Sequence, residues 1–294
     1  MSSPARPESR YATFRAPDPA PSPRVGIFDS GVGGLSVLQA VRARLPAAEL
    51  LYAADTAHAP YGDRSEDYIC DRSQRIAGFL RDQGAELVVV ACNTATAAAV
   101  AALRAAWPGM PIVGVEPGIK PAVAASANRR IGVLATTRTL ASEKFRRLAL
   151  AHAEGATLFL QACPGLADAI EAADAASTGL DAIVERYSAP LREAGVDVAV
   201  LGCTHYAFAR DLFERALPGV RLIDTADAIA RQTARLAADL RPGQDAGDAA
   251  GTEGAATLEA APWLRAWSSG APGALGTFVQ RWMGLTIPVQ PMAC

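Results

Sequence analysis

Several things are scarce in this chain of 294 residues, and each scarcity excludes a class of protein. Net charge is nearly absent: 28 Lys and Arg stand against 30 Asp and Glu, a formal balance of −2. A nucleic-acid or membrane surface as the main partner would ask for a strong basic bias, so both are set aside. No run of about 18 apolar residues occurs, so no transmembrane helix is expected. Cysteines are few and odd in number, five in all: Cys70, Cys92, Cys163, Cys203 and Cys294. They are widely spaced, unlike a disulfide framework, and a reducing cytoplasmic location fits them. No Cys-x-x-Cys is present, which ranks a thiol redox protein last. The N-terminus is polar and Pro-rich, without the apolar core of a signal peptide. Residues 1–24 read as a disordered tail.

What is present is a stretch that occurs twice. Leu80 to Val115 begins LRDQGAELVVVACNT, and Leu191 to Ile223 begins LREAGVDVAVLGCTH. Aligned on Cys92 and Cys203, the copies share Leu80/Leu191, Arg81/Arg192, an acid at Asp82/Glu193, Gly84/Gly195 and an acid at Glu86/Asp197. Each copy reads as a helix closed by a Gly, the residue that tolerates a left-handed C-terminal position. A short buried strand follows, Leu87 to Ala91 or Val198 to Leu201. Each Cys then stands at the strand's carboxyl end, with Asn93-Thr94 or Thr204-His205 expected to cap a new helix. Ligands of open α/β sheets bind at that end. The helix N-terminus there favours a thiolate and a bound carboxylate.

The repeat extends over whole halves. Arg24-Val-Gly-Ile-Phe matches Arg130-Ile-Gly-Val-Leu, and Asp29-Ser30 falls opposite Ala135-Thr136. Arg24 precedes Cys92 by 68 residues and Arg130 precedes Cys203 by 73. Other expected elements are helices from Leu35 to Arg44, Ser65 to Gln83, Leu140 to His152, Asp224 to Leu240 and Gly273 to Met283. The last should pack back on the first half. Glu116 to Pro121 reads as a loop, and Arg241 to Pro262 as a mobile one. The Gly-rich turn after Phe28 could cradle an anion. It is neither a Walker loop nor a Rossmann fingerprint.

Two α/β halves related by a dyad would present Cys92 and Cys203 to one ligand from opposite sides. One thiolate could remove a hydrogen from a carbon while the other residue, as a thiol, returns one to the opposite face. A lone Cys after a strand is most often a small buried hydrophobe, which suits Cys70 and Cys294. Cys163, in a Cys-Pro, lies between the two readings. His58 and His152 read as surface or packing residues. Asp29 could be a simple helix cap. Zinc on Cys92, Cys203 and His205 would lack an evident fourth ligand.

FDSGVGGLSV (Phe28 to Val37), PYG (Pro60 to Gly62), ACNTAT (Ala91 to Thr96) and GCTHY (Gly202 to Tyr206) together resemble the cofactor-independent Asp/Glu racemase superfamily, glutamate racemases in particular. The resemblance covers about Val25 to Asp224. It implies an α/β fold of two pseudo-symmetric domains with mainly parallel sheets, residues 25–115 plus 225–294 and residues 116–224, with the site in the cleft between them. It implies Cys92 and Cys203 as the two acid/base residues, tuned by Asp29 and His205. Substrate contacts would come from Asp29, Ser30, Pro60, Tyr61, Gly62, Asn93, Thr94, Thr136, Thr204 and His205. It points also to Glu171, although Gly165-Leu-Ala-Asp168 replaces the family's apolar, Pro-containing run there. No pyridoxal phosphate or metal is implied. The expected substrate is glutamate, with D-glutamate feeding peptidoglycan synthesis. Aspartate or hydantoin racemisation, and a binding role without catalysis, stand as alternatives. The resemblance leaves room for a homodimer and for a nucleotide-precursor activator.

Overall fold

The computed structural model describes residues 23–172, 179–240 and 262–294. The first half begins with β1 (Arg24–Asp29), α1 (Leu35–Arg44), β2 (Glu49–Ala54) and α2 (Glu66–Asp82). It continues with β3 (Leu87–Val90), α3 (Asn93–Ala106) and β4 (Ile112–Gly114). The second half follows after α4 (Ile119–Ala125): β5 (Arg130–Ala135), α5 (Thr137–Ala141), α6 (Glu143–His152), β6 (Thr157–Ala162), α7 (Leu166–Ala172) and α8 (Gly179–Glu193). It ends with β7 (Val198–Leu201), α9 (Arg210–Ala216) and β8 (Arg221–Ile223). The chain then returns to the first sheet through α10 (Ala226–Asp239), β9 (Leu264–Ser268), α11 (Pro272–Met283) and β10 (Val289–Pro291).

Every strand pairing is parallel. One sheet runs β10-β9-β2-β1-β3-β4, the other β6-β5-β7-β8. Without β10 and β9 the two orders coincide, and so do their registers: Val25 faces Leu87 as Ile131 faces Val198. The repeated residues account for this. Gly26 of β1 lies against Leu80, and Gly132 of β5 against Leu191. A side chain at Gly26 would push α2 off its sheet, and one at Gly132 would push α8 off its own. The repeated acids satisfy main-chain donors at or just before the first strand of each half: Glu86 accepts from the N–H of Arg24 at 3.0 Å, and Asp197 from the N–H of Ala127 at 2.6 Å. Gly84 and Gly195 both take the positive φ expected of helix-closing glycines.

Several elements depart from expectation. The stretch Leu140 to His152 is not one helix. Ser142 closes α5 and opens α6, its hydroxyl accepting from the N–H of Phe145 at 3.1 Å. Of the loop Glu116 to Pro121, the last three residues are the first turn of α4, where Pro needs no N–H donor. Asn93 and Thr94 do not cap α3; Cys92 does, its Sγ accepting from the N–H of Ala95 at 3.4 Å. Thr204-His205 opens a 3-10 segment, Thr204–Ala209, before α9. Arg24, placed in the tail, already belongs to β1. Strands β9 and β10 were not foreseen, because Leu264–Ser268 and Val289–Pro291 carry neither a long apolar run nor a repeat partner. The tail to residue 22 and, of the expected loop from Arg241 to Pro262, all but Pro262 lie outside the described residues. The side chains of α11, Leu275, Phe278 and Val279, join the core of the first half with Val25 and Ile27, as expected. No described helix is long and apolar enough to cross a membrane.

Candidate active site

Parallel strands bring their carboxyl ends to one side of each sheet, and the two sheets turn those ends toward each other. Cys92 follows β3 and Cys203 follows β7; both line one cavity. Ser30, Pro60, Tyr61, Gly62, Asn93 and Thr94 join it from the first half, and Thr136, Thr204 and His205 from the second. Asp29 lies beneath the wall, fully buried. It is not a helix cap: Oδ1 accepts from the N–H of Gly31 at 2.9 Å, and Oδ2 from the hydroxyl of Thr204, across the halves, at 3.1 Å. Glu171 also reaches the cavity, with Ala59, Ala167 and Asp168, which sequence reasoning had not named.

The two thiols have different surroundings. Cys92 is buried, with the hydroxyl of Ser30 at 3.6 Å from Sγ. Burial, then the negative charge of Asp29, pushes its pKa up to about 12, against the N–H of Ala95 and the Ser30 hydroxyl. A thiolate favoured by the helix N-terminus is therefore not what the site shows at Cys92: loss of solvent and a neighbouring carboxylate outweigh the α3 dipole. Cys203 is less buried, and its Sγ lies 3.7 Å from Nδ1 of His205. Nε2 of that ring is 2.6 Å from Oε1 of Glu171. Burial alone would lower the imidazole pKa; the hydrogen bonds and charges of Cys203 and Glu171 raise it overall. Burial would likewise raise Glu171, and His205 holds it below the usual carboxylate range instead. The second thiol thus faces an imidazolium–carboxylate pair, the first a buried acid.

The glycines of the opening turn serve contact between the halves. A Cβ at Gly33 would collide with Oγ1 of Thr204 and the ring of His205, and one at Gly31 with Oε1 of Glu171. Only bare backbone lets the turn seat against the second half. The Val32 N–H donates to Oε1 of Glu171 at 3.2 Å, and the Ser36 hydroxyl to the carbonyl of Thr204 at 3.3 Å. The turn that could cradle an anion holds a carboxylate of the protein itself, that of Glu171.

On the far side of the cavity, Thr94 Oγ1 lies 3.2 Å from Thr136 Oγ1 and 3.4 Å from Thr139 Oγ1. Both amide atoms of Asn93 are buried without a hydrogen-bond partner. Unpaired buried polar atoms are costly, and in a cavity wall they are groups held ready for a ligand. Cys163 is buried at the end of β6 and donates to the carbonyl of Gln161 at 3.4 Å. Cys70 lies in α2. His58 pairs with the Tyr68 hydroxyl at 2.5 Å.

The chain is similar to known proteins in both sequence and fold. Residues 35–233 match a family model described as Asp/Glu/Hydantoin racemase. The chain is 52% identical over 216 residues to the glutamate racemase of Pseudomonas aeruginosa, covering 73% of this chain and 82% of that protein. Among solved structures it is similar to Escherichia coli glutamate racemase in complex with L-glutamate and the activator UDP-MurNAc-ala. The TM-score is 0.78 at 32% identity, over 93% of this chain and 99% of that one. A glutamate racemase isoform from Bacillus anthracis gives a TM-score of 0.80 at 27% identity, over 93% and 98%.

Proposed function

The chain belongs to the Asp/Glu/hydantoin racemase family, and we propose how its site performs the family's reaction. It is an amino-acid racemase, and it interconverts L- and D-glutamate. The observation that carries the mechanism is the placement of Cys92 and Cys203 on the walls of one cavity, from two different sheets. One residue, as thiolate, takes the Cα hydrogen as a proton. The electron pair stays on Cα and its carboxylate, and the other residue, as thiol, delivers its proton to the opposite face. For the reverse substrate the roles exchange. The substrate's ammonium, placed near Asp29 and Cys92, offsets the negative charge that holds the Cys92 pKa up. His205, kept protonated by Glu171, stabilises a thiolate at Cys203. Asn93, Ser30, Thr94, Thr136 and Thr204, with the main chain of Pro60-Tyr61-Gly62, orient the two carboxylates. Orientation of this kind separates a productive complex from mere occupancy.

The D-glutamate made here supplies peptidoglycan synthesis in the cytoplasm, in this proposal. Activation by a cell-wall nucleotide precursor is proposed by likeness to the Escherichia coli enzyme, whose structure holds such an activator. The test is incubation with L-glutamate in heavy water, following optical rotation and Cα deuteration. Aspartate is run in parallel, and each arm is repeated with the nucleotide precursor. Loss of rotation with deuterium in the product is expected for glutamate. Inversion without solvent deuterium would exclude exchange through the thiols. Light scattering on the same samples tests the homodimer.

A further inference from the structure

Tyr61 forms part of the cavity wall, yet its hydroxyl is turned to another task. It donates to Oδ2 of Asp55 at 2.5 Å. Asp55 is fully buried, one residue past the end of β2, and its N–H donates to the carbonyl of Asp29 at 3.0 Å. Arg72 of α2, also buried, clamps the same carboxylate with two N–H groups: Nε to Oδ2 at 3.0 Å and Nη2 to Oδ1 at 2.7 Å. Its remaining Nη1 donates to the main-chain carbonyl of Cys294 at 2.6 Å. Burial would raise the Asp55 pKa, but the hydrogen bonds of Arg72 and Tyr61 hold it below the usual carboxylate range. The acid is therefore ionised at neutral pH.

A buried ion pair is a poor stabiliser, because loss of hydration offsets most of its attraction. What it supplies is direction. A guanidinium fork fixes a carboxylate in one orientation, and that carboxylate fixes one position for the Tyr61 hydroxyl. The position of Tyr61 sets that of Gly62, whose α-carbon faces Thr136 of the other half: an added Cβ would lie in ordinary contact with that side chain, at 3.7 Å. A small shift of Tyr61 thus changes the width of the cavity between the halves.

We propose that Asp55 and Arg72 are positioning residues for racemisation, holding Tyr61 and the Pro60-Tyr61-Gly62 wall at the separation the substrate needs. Neither lines the cavity with the thiols. The proposal rests on the racemase reading and extends it to a buried pair that belongs to none of the motifs carrying the resemblance. The test is steady-state racemisation in both directions for Tyr61→Phe, Asp55→Asn, the two combined and Arg72→Lys, with a melting curve for each. Wild-type turnover in the same series reports on the racemase reading; the pattern among variants reports on positioning. A wall drawn back from the substrate loses binding in ground and transition states alike, so a partial release of Tyr61 should raise KM about tenfold and change kcat little. Asp55→Asn should do at least as much, and adding Tyr61→Phe to it should do nothing more, because one linkage is broken once. Arg72→Lys keeps the charge but not the fork, and should also raise KM. A purely structural pair would lower the melting temperature and leave KM unchanged. Folded Tyr61→Phe with wild-type KM in both directions, or additive effects in the double variant, overturns the proposal. If Asp55→Asn does not fold, Tyr61→Phe decides alone, since it leaves the ion pair intact.

Discussion

Replacing Glu171 by Gln removes a charge from the site with little change in shape. Oε1 of the glutamine can still accept from the N–H of Val32, so the seat of the opening turn is preserved. What is lost is the carboxylate 2.6 Å from Nε2 of His205, in a pair whose side chains are 6% and 31% exposed. A hydrogen bond to a charged group in such a half-screened place contributes about 2 kcal/mol, or about thirtyfold in rate where the imidazolium is needed. The imidazole pKa should fall, because the contacts that raised it against burial are weakened. The alkaline limb of kcat/KM should therefore move to lower pH in both directions of racemisation. Stability should change with the same sign. A raised folded pKa contributes stability that is complete below about pH 6.5, the ordinary imidazole value, and fades as pH rises through the folded value. Melting temperatures of the wild type should show that decline, and Glu171→Gln should flatten it. The assay is circular dichroism of L- and D-glutamate solutions from about pH 5 to 10, a range bracketing imidazole and thiol titration. Profiles of variant and wild type that overlap within about twofold at every pH would refute the coupling, since even about 1 kcal/mol would separate them further.

Cys92→Ser and Cys203→Ser should each lower racemisation by at least about a hundredfold, the low end of what a positioned acid or base supplies. Each should retain solvent deuteration of one enantiomer only, and of opposite enantiomers, read by NMR; deuteration of both hands by either variant would contradict the two-face assignment. Gly33→Ala should cut kcat/KM by about a hundredfold, because its methyl group would drive Thr204 and His205 away. Its first-half core should melt normally. Asp29→Asn should melt higher than the wild type at pH 7 to 8 while losing activity. Burial raises the Asp29 pKa, so the folded wild type carries a charge penalty above the ordinary carboxylate pKa of about 4. The gain should shrink as the pH is lowered toward that value.

The fold was legible where the chain repeats itself. Leu80 and Leu191, Gly84 and Gly195, and the acids Glu86 and Asp197 mark helix ends and strand starts through local chemistry, and the structure uses them in both halves alike. Legibility failed where an element depends on the far side of the molecule. Strands β9 and β10 exist because β2 offers a free edge, which no local pattern records. Ser142 splits a helix that periodicity runs together, because its hydroxyl can cap as readily as sit on a helix face. At the cavity, the motif residues were nameable from resemblance, but their partners were not. The resemblance pointed to Glu171 but not to His205 and Val32 as its partners, and Arg72 carries no mark in α2 of its grip on Asp55.

The deeper limit is that repetition predicts symmetry, whereas a racemase needs symmetry only at the two protons. Opposite Asp29 in the second half stands Ala135, and opposite His205 in the first stands Thr94. The auxiliary charges therefore occur once each, and each is held by the other half: Asp29 by Thr204, Glu171 by Val32. The negative charge of Asp29 beside Cys92 keeps that thiol's proton on, while Cys203 has the imidazole of His205 beside it instead, 3.7 Å away. The two thiols of the resting enzyme are thus not equivalent, and only one hand of the substrate depends on Cys92 as its base. That hand must first draw the Cys92 proton off, a step its own ammonium can assist by neutralising Asp29. Because the equilibrium constant between enantiomers is unity, any such bias must appear equally in kcat and KM, leaving kcat/KM the same in both directions. A measured kcat that differs between L- and D-glutamate with an equal ratio in KM is the expected mark of this crossed arrangement. Equal kcat values for the two hands, persisting in Asp29→Asn, would show that the two thiols are interchangeable despite their surroundings.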